Sequence, residues 1–240
     1  MDAILQERLN RAIRKAKVEQ EARTPDAIAA REKELDNVLK WVLGKHLGQY
    51  RTEPVPYRLP YFVHPMGVLQ QISQWGVTNI VSWKAGLAHD TREDCDVTYE
   101  QVKRAIGVEA ADIVEQLTFI PSPSSPFTTA QQKAEYMKTF FDKSVEALVI
   151  KIADRCCNTL DWLDNDNEYA PKYWKKAEPL FSAMMTRREE IVLHFGGPEV
   201  PHKARGKPGY KELKAQRELG ECVFTRMSYT RSQINQMCVR

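Results

Sequence analysis

From Thr24 to Phe195 the apolar residues return every three or four positions, and no stretch alternates in a way that supplies a partner strand. That periodicity confines the chain to packed helices. Behind a break at Thr24-Pro25-Asp26, Leu35, Val38, Leu39, Val42 and Leu43 mark one helix, and the run from Met66 to Trp75 marks another, stopped by Gly76. Asn79 is placed to cap a helix through Trp83, Leu87 and His89. Thr98 and Gln101 have capping-box spacing for a short helix ending near Gly107, and a further helix runs from about Glu109 to Leu117. Helices are expected over 129–142, 144–163 and 168–195, the last ending at Gly196-Gly197-Pro198. The segment VEALVIKIAD has the Val and Ile content of a strand, but with nothing to pair against it reads as helix.

The rest is punctuation and extensions. Residues 52–60, TEPVPYRLP, hold three prolines and read as a loop. Residues 119–128, FIPSPSSPFT, form a second loop long enough for a mobile flap. Leu5, Leu9, Ile13 and Val18 give residues 2–22 a weak amphipathic stripe, expected to pack on the chain itself or on a partner subunit. The 240 residues have room for one sizeable helical domain with extensions. The division expected is an N-terminal helical extension over 1–34, the main helical bundle over 35–198 and a basic, flexible tail over 199–240.

Charge is unevenly placed. Residues 201–240 carry nine Lys and Arg against three Glu, a surplus of six, so the whole-chain +3 leaves residues 1–200 at minus three. The body is therefore no basic nucleic-acid binder, and any contact with nucleic acid belongs to the tail. Five cysteines without CxxC spacing (Cys95, Cys156, Cys157, Cys222 and Cys238) suit a reducing, cytoplasmic setting. The N-terminus lacks the apolar centre of a signal peptide, and no run approaches the roughly 20 apolar residues that span a bilayer. A soluble protein with no membrane partner is expected, and a homo-oligomer is left open.

The stretch LAHDTREDCDVT carries the most chemical information. An adjacent His-Asp pair, His89-Asp90, at the end of an apolar helix can offer an imidazole nitrogen and a carboxylate oxygen to one metal ion. Glu93 and Asp94 follow one helical turn later and can face the same side. Acidic groups crowded in this way repel unless a cation or a hydrogen-bond network compensates. Matching ligand types occur elsewhere: His64 before Pro65, and Asp154 in the run KIADRCCN. Asp154 follows a largely apolar run, and a buried carboxylate is costly unless it is paired or bound to metal. Taken singly, Asp154 has a fair competing explanation in a salt bridge to Arg155 or another cation, and His64 is better explained as an ordinary core or surface histidine. The combination carries the metal reading.

That combination resembles the hydrolase domain of the RelA/SpoT enzymes and the small alarmone hydrolases, whose order is H-P, then H-D-x-x-E-D, then A-D-R-x-x-N. Here these are His64-Pro65, His89-Asp90 with Glu93-Asp94, and Ala153-Asp154-Arg155 with Asn158. KHLGQYR, ending at Arg51, is similar to the family's A-H-x-G-Q-x-R, and the likeness continues through VTYEQVKRAIG and ADIVEQLT over about residues 40–195. The resemblance implies an all-α HD-domain bundle binding one Mn²⁺ and removing pyrophosphate from the 3′ position of (p)ppGpp to leave GDP or GTP. It makes His64, His89, Asp90 and Asp154 the metal ligands and Glu93 and Asp94 the pair acting on the attacking water. Arg51 and Asn158 would contact the nucleoside. Among the cations that a polyphosphate needs, Lys151 and Arg155 are candidates, with Arg58, Lys84 and Arg92 behind them. Mixed imidazole and carboxylate ligands also suit Mn²⁺, Fe²⁺ or Zn²⁺ better than Mg²⁺ or Ca²⁺.

The chain departs from the family in places. Thr52 stands where a basic residue usually follows Arg51, the loop to His64 is longer and proline-rich, and Asp161 stands where Thr is frequent. Cys95 replaces a frequent Thr, and Cys156-Cys157 replace an apolar residue and a His. These touch none of the expected ligands, but they keep related substrates open: an adenosine alarmone of the ppApp type, or the 2′-phosphate of NADPH. A different class, a non-catalytic antitoxin-like binding module, has no use for both Glu93 and Asp94.

Overall fold

The computed structural model describes residues 3–51, 59–165 and 168–238. Among them the regular structure is helical, with one isolated backbone bridge between Tyr50 and Pro60 in place of any sheet. The 52–60 loop falls mostly outside the described residues, and Arg58 with it.

The helices are α1 (Ala3–Glu21), α2 (Pro25–Lys45), α3 (Val63–Trp75), α4 (Ile80–Ala88), α5 (Thr91–Asp94), α6 (Tyr99–Ile106) and α7 (Val108–Leu117). They continue as α8 (Thr129–Lys138), α9 (Val145–Asn165), α10 (Tyr169–Lys175), α11 (Glu178–Thr186), α12 (Arg188–Phe195) and α13 (Tyr210–Cys238). Local chemistry sets their ends. Thr24 and Asn79 accept from Ala27 N–H and Val81 N–H at the starts of α2 and α4, and Thr98 with Gln101 forms a complete capping box at α6. Gly76 closes α3 in the left-handed region at φ 99°, a conformation that costs a residue with a Cβ.

Helix α9 is the axis of the bundle, packed by α3, α4, α7, α10, α11, α12 and α13. Ala147, Leu148, Val149, Ile150, Ile152 and Ala153 are all buried, so the helix is apolar all round, as a fully surrounded helix must be. This is why VEALVIKIAD carries so much Val and Ile without being a strand. The buried polar residues of α9 (Lys151, Asp154, Arg155 and Thr159) are the exceptions that define the site.

Three expectations need correcting. Residues 168–195 are not one helix but three: Pro179, lacking an N–H, opens α11, and Arg187 (φ −95°, ψ 20°) separates α11 from α12. The stripe on α1 is Leu5, Leu9 and Ala12, packed against Ala204 and Leu213, while Ile13 and Val18 face outward. The tail is not flexible over 210–238. It forms α13, which lies against α12, α1, α3 and α9 and sends Val223, Phe224, Met227 and Ile234 into the main core. At its crossing with α12, a Cβ on Gly220 would stand 2.1 Å from the Val192 carbonyl oxygen, so only glycine permits that approach. The tail's cations are also partly engaged within the chain: Arg217 with Glu189 and Glu221, Arg231 with Glu178, and Arg226 with the Gln74 carbonyl. No helix among the described residues is long and apolar enough to cross a membrane.

Candidate metal centre and nucleotide cavity

Helices α3, α4 and α9 bring together the four side chains singled out as ligands. His64 sits in the first turn of α3, His89 and Asp90 form the joint between α4 and the single-turn α5, and Asp154 projects from α9. His64, His89 and Asp90 each place one donor atom so that all three lie within 4.8 Å of one another. Oδ1 of Asp154 is 3.1 Å from Nε2 of His64 and 3.8 Å from Nε2 of His89, and Oδ2 of Asp90 is 2.9 Å from Nε2 of His89.

These groups are close without being hydrogen-bonded. Both ring nitrogens of His64 and Nε2 of His89 are buried and have no hydrogen-bond partner. Buried polar nitrogens normally find partners, so an orphaned set beside two carboxylates is the donor arrangement that a divalent cation fits. The second nitrogen of His89 supports this. Nδ1 lies 2.8 Å from the Gly86 carbonyl, which can only accept, so Nδ1 carries a proton and Nε2 is the nitrogen turned to the cluster.

The electrostatics point the same way. Burial works against the charged form of His89, but Asp90 and Asp154 outweigh it and lift the imidazole to about 10. Burial likewise opposes ionisation of Asp154, yet Lys151, its Nζ 2.9 Å from Oδ2, holds that carboxyl well below the usual range. Asp90 is also held low, chiefly by His89 against burial. The centre therefore draws positive charge, whether from protons or from a metal ion.

Glu93 and Asp94 end the one-turn α5 beside Asp90. Burial, with Asp90 adding to it, raises the carboxyl pKa of both. One oxygen of Glu93 accepts the Phe119 N–H at 2.6 Å, which fixes the carboxylate and pins the start of the 119–128 loop. That loop is further tied to α8 through Gln132, which bonds the Ser122 backbone and the Phe127 carbonyl.

Next to the metal group, α3 and α9 wall a cavity of about 280 Å³ lined by Arg51, Leu59, His64, Cys157, Leu160 and Asp161 among others. His64 belongs to both places. The Arg51 guanidinium donates to Asn158 Oδ1 and to Asp161 Oδ2, each at 2.7 Å, and Asn158 in turn donates to Asp154 Oδ1 at 2.5 Å. Arg51 and Asn158 are thus joined to the metal group. Arg155 does not line this cavity: it lies 4.1 Å from the Tyr173 ring centre and borders a separate cavity between α8, α9 and α10. Lys84 and Arg92 are engaged by Glu34 and Glu115.

Reading the residues one at a time missed Tyr61. Its hydroxyl donates to Asp90 Oδ2 at 2.6 Å, its ring stacks on His46 at 4.7 Å, and Arg51 lies 5.6 Å from its centre. Its position one helical turn before His64 is the signal that could have exposed it.

An all-α bundle with this His/Asp group at the joint of its helices is the architecture of an HD-type phosphohydrolase. No family model matches the chain. The guanosine-3′,5′-bis(diphosphate) 3′-pyrophosphohydrolase MESH1 of Mus musculus is 30% identical over 133 residues, 55% of this chain and 69% of that protein, and the Homo sapiens protein gives the same figures. The pyrophosphohydrolase of Spiroplasma citri is 30% identical over 131 residues, 52% of this chain but 16% of that protein. The solved structure of a metazoan ortholog of SpoT that hydrolyses ppGpp covers 77% of this chain and 94% of its own, with a TM-score of 0.55 and 21% identity. The chain belongs to the guanosine-3′,5′-bis(diphosphate) 3′-pyrophosphohydrolase family.

Proposed function

We propose that this chain is a metal-dependent hydrolase that removes the 3′-pyrophosphate from (p)ppGpp, giving GDP or GTP and pyrophosphate, with His64, His89, Asp90 and Asp154 holding one Mn²⁺. The observation that carries the reading is the set of orphaned, buried imidazole nitrogens against two carboxylates on separate helices. Its family membership supplies the substrate, since the relatives are named for this reaction.

A bound divalent cation supplies a Lewis acid that activates water and neutralises charge on the phosphoryl oxygens. The protein's own groups do the rest. Glu93, held by the Phe119 N–H on one oxygen, keeps the other for the proton of the attacking water, and its raised pKa brings it nearer the range in which a base works at neutral pH. Asp94 orients that water or passes the proton towards the leaving oxygen. Tyr61 and Lys151 hold Asp90 and Asp154 in place, and Arg51 with Asn158 receives the nucleoside. The five free cysteines accord with a cytoplasmic setting.

The test is product identification after incubation with Mn²⁺ and ppGpp, pppGpp, ppApp or NADPH in parallel. Pyrophosphate with GDP or GTP is expected from the guanosine alarmones. Orthophosphate from NADPH alone, or no turnover of any, would contradict the reading.

A further inference from the structure

Helices α1, α12 and α13 enclose a cleft of about 760 Å³, whose lining residues include none from the metal group or the nucleotide cavity. Two of its walls, α1 and α13, fall outside the span of about residues 40–195 over which the chain resembles the alarmone hydrolases. The walls are tied to one another. Lys15 donates from Nζ to the Gly196 carbonyl at 3.2 Å, joining α1 to the end of α12, and Gln216 of α13 donates to the Ala12 carbonyl at 3.0 Å. Glycine at 196 lets the α13 backbone close the floor, since a Cβ there would stand 2.4 Å from the Gln216 carbonyl oxygen. The space is therefore built into the fold, and its volume is within the roughly 300–1,000 Å³ of ligand clefts.

Its chemistry is divided between cations and aliphatic surface. Ile4, Arg8, Arg11 and Lys15 recur at intervals of four, three and four, so they share one face of α1. Glu7 is the carboxylate of the lining, and Arg14 holds it at 2.7 Å. Arg8 and Arg11 have no ion-pair or hydrogen-bond partner among the described residues. The remaining walls are largely aliphatic: Ile4 is 67% and Leu193 50% exposed, with Ala12, Pro198 and Leu213 beside them. No Phe, Tyr or Trp lines the cleft among the described residues, and the His194 ring is taken up by Glu146 at 2.8 Å and by Phe195. A nucleobase, which binds by stacking, finds no platform here, whereas an aliphatic chain finds a matching wall.

We propose that this cleft binds the monomeric anion of a fatty acid, its carboxylate on Arg8 and Arg11 and its chain along Ile4 and Leu193. Residues three apart on a helix are neighbours, so the two guanidiniums can share one carboxylate, each offering a planar fork of N–H donors. Charge alone is a weak holder at an exposed place. The chain supplies the rest, because each methylene withdrawn from water strengthens binding about fourfold. A free phosphate has only the first of these contributions and a neutral alcohol only the second. The site goes beyond the hydrolase reading and does not depend on it.

Calorimetric titration of the full chain with octanoate, decanoate, decanol and inorganic phosphate tests this on the unsubstituted protein, on the double variant Arg8→Glu/Arg11→Glu and on Leu193→Gln. The expected result is one decanoate per chain, bound about tenfold more tightly than octanoate and more tightly than decanol or phosphate. The double arginine variant should weaken decanoate by at least about tenfold and leave decanol unchanged. Leu193→Gln should weaken decanoate and decanol alike. All three replaced side chains are exposed, and thermal melts check the fold. If a variant does not fold, the four ligands on the unsubstituted protein decide alone. No binding of decanoate, many copies bound per chain, or indifference to the arginine substitutions overturns the proposal. Equal affinity for octanoate and decanoate, or phosphate bound as tightly as decanoate, shows a site for anions without a chain and overturns it too. Association with dioleoylphosphatidylglycerol vesicles without binding of decanoate would make this face a membrane surface, and also overturns it.

Discussion

Lys151 and Asp154 stand one turn apart on α9, the axis of the bundle, with Nζ of the first 2.9 Å from Oδ2 of the second. Both are almost wholly removed from solvent, so each is tolerated there because of the other. Lys151 is thus a structural neutraliser as much as a candidate contact for phosphate. Replacing it with Met removes the lysine partner of Asp154 and leaves that carboxylate to Asn158 and the two imidazoles, and breaking a buried pair in this way costs about 3–5 kcal/mol. The Lys151→Met melting temperature should fall by about 10 °C, read by circular dichroism on metal-stripped protein. Bound Mn²⁺ should restore part of the loss.

Glu93 is ionised at a cost in stability. Its carboxyl pKa is raised by burial and by Asp90, so the folded protein binds its proton more tightly than the unfolded chain does. The sign follows: this group favours the fold below its ordinary value of 4.5, and that contribution is lost as pH rises through the raised value. Glu93→Gln keeps the acceptor for Phe119 N–H and removes the charge. In metal-stripped protein it should melt higher than the unsubstituted chain at pH 7 and no higher near pH 4, while turnover falls by about a hundredfold or more. A melting difference that does not change with pH would contradict the assignment.

The C-terminal helix should behave as core. Met227 is fully buried in the main cluster, so Met227→Ala should destabilise the protein by about 2–5 kcal/mol in urea titration. A chain ending before Tyr210 exposes the surface of α3, α9 and α12 that α13 covers and should be recovered largely insoluble.

The sequence made the helices legible where a stop or cap coincided with a change of period, as at Asn79, Thr98 and Gly76. It concealed the division of 168–195, because a proline in the first turn of one helix looks the same as a proline inside a longer one. It concealed α13 because Val223, Phe224, Met227 and Ile234 are sparse among charges that pair mostly within the chain. The ligand types were readable because His and Asp are expensive on apolar helices. Tyr61 was not, because an aromatic residue is at home in any core and its hydroxyl acquires meaning only from Asp90 at 2.6 Å.

The proposed metal site needs three helices, α3, α4 and α9, to converge on one cation. The measurement that reaches this most directly is a calorimetric titration of metal-stripped protein with Mn²⁺, on the unsubstituted chain and on His64→Ala. One site per chain, abolished by the substitution while the variant still folds, is the expected result. No binding by the unsubstituted chain, or an undiminished site in the variant, would contradict it.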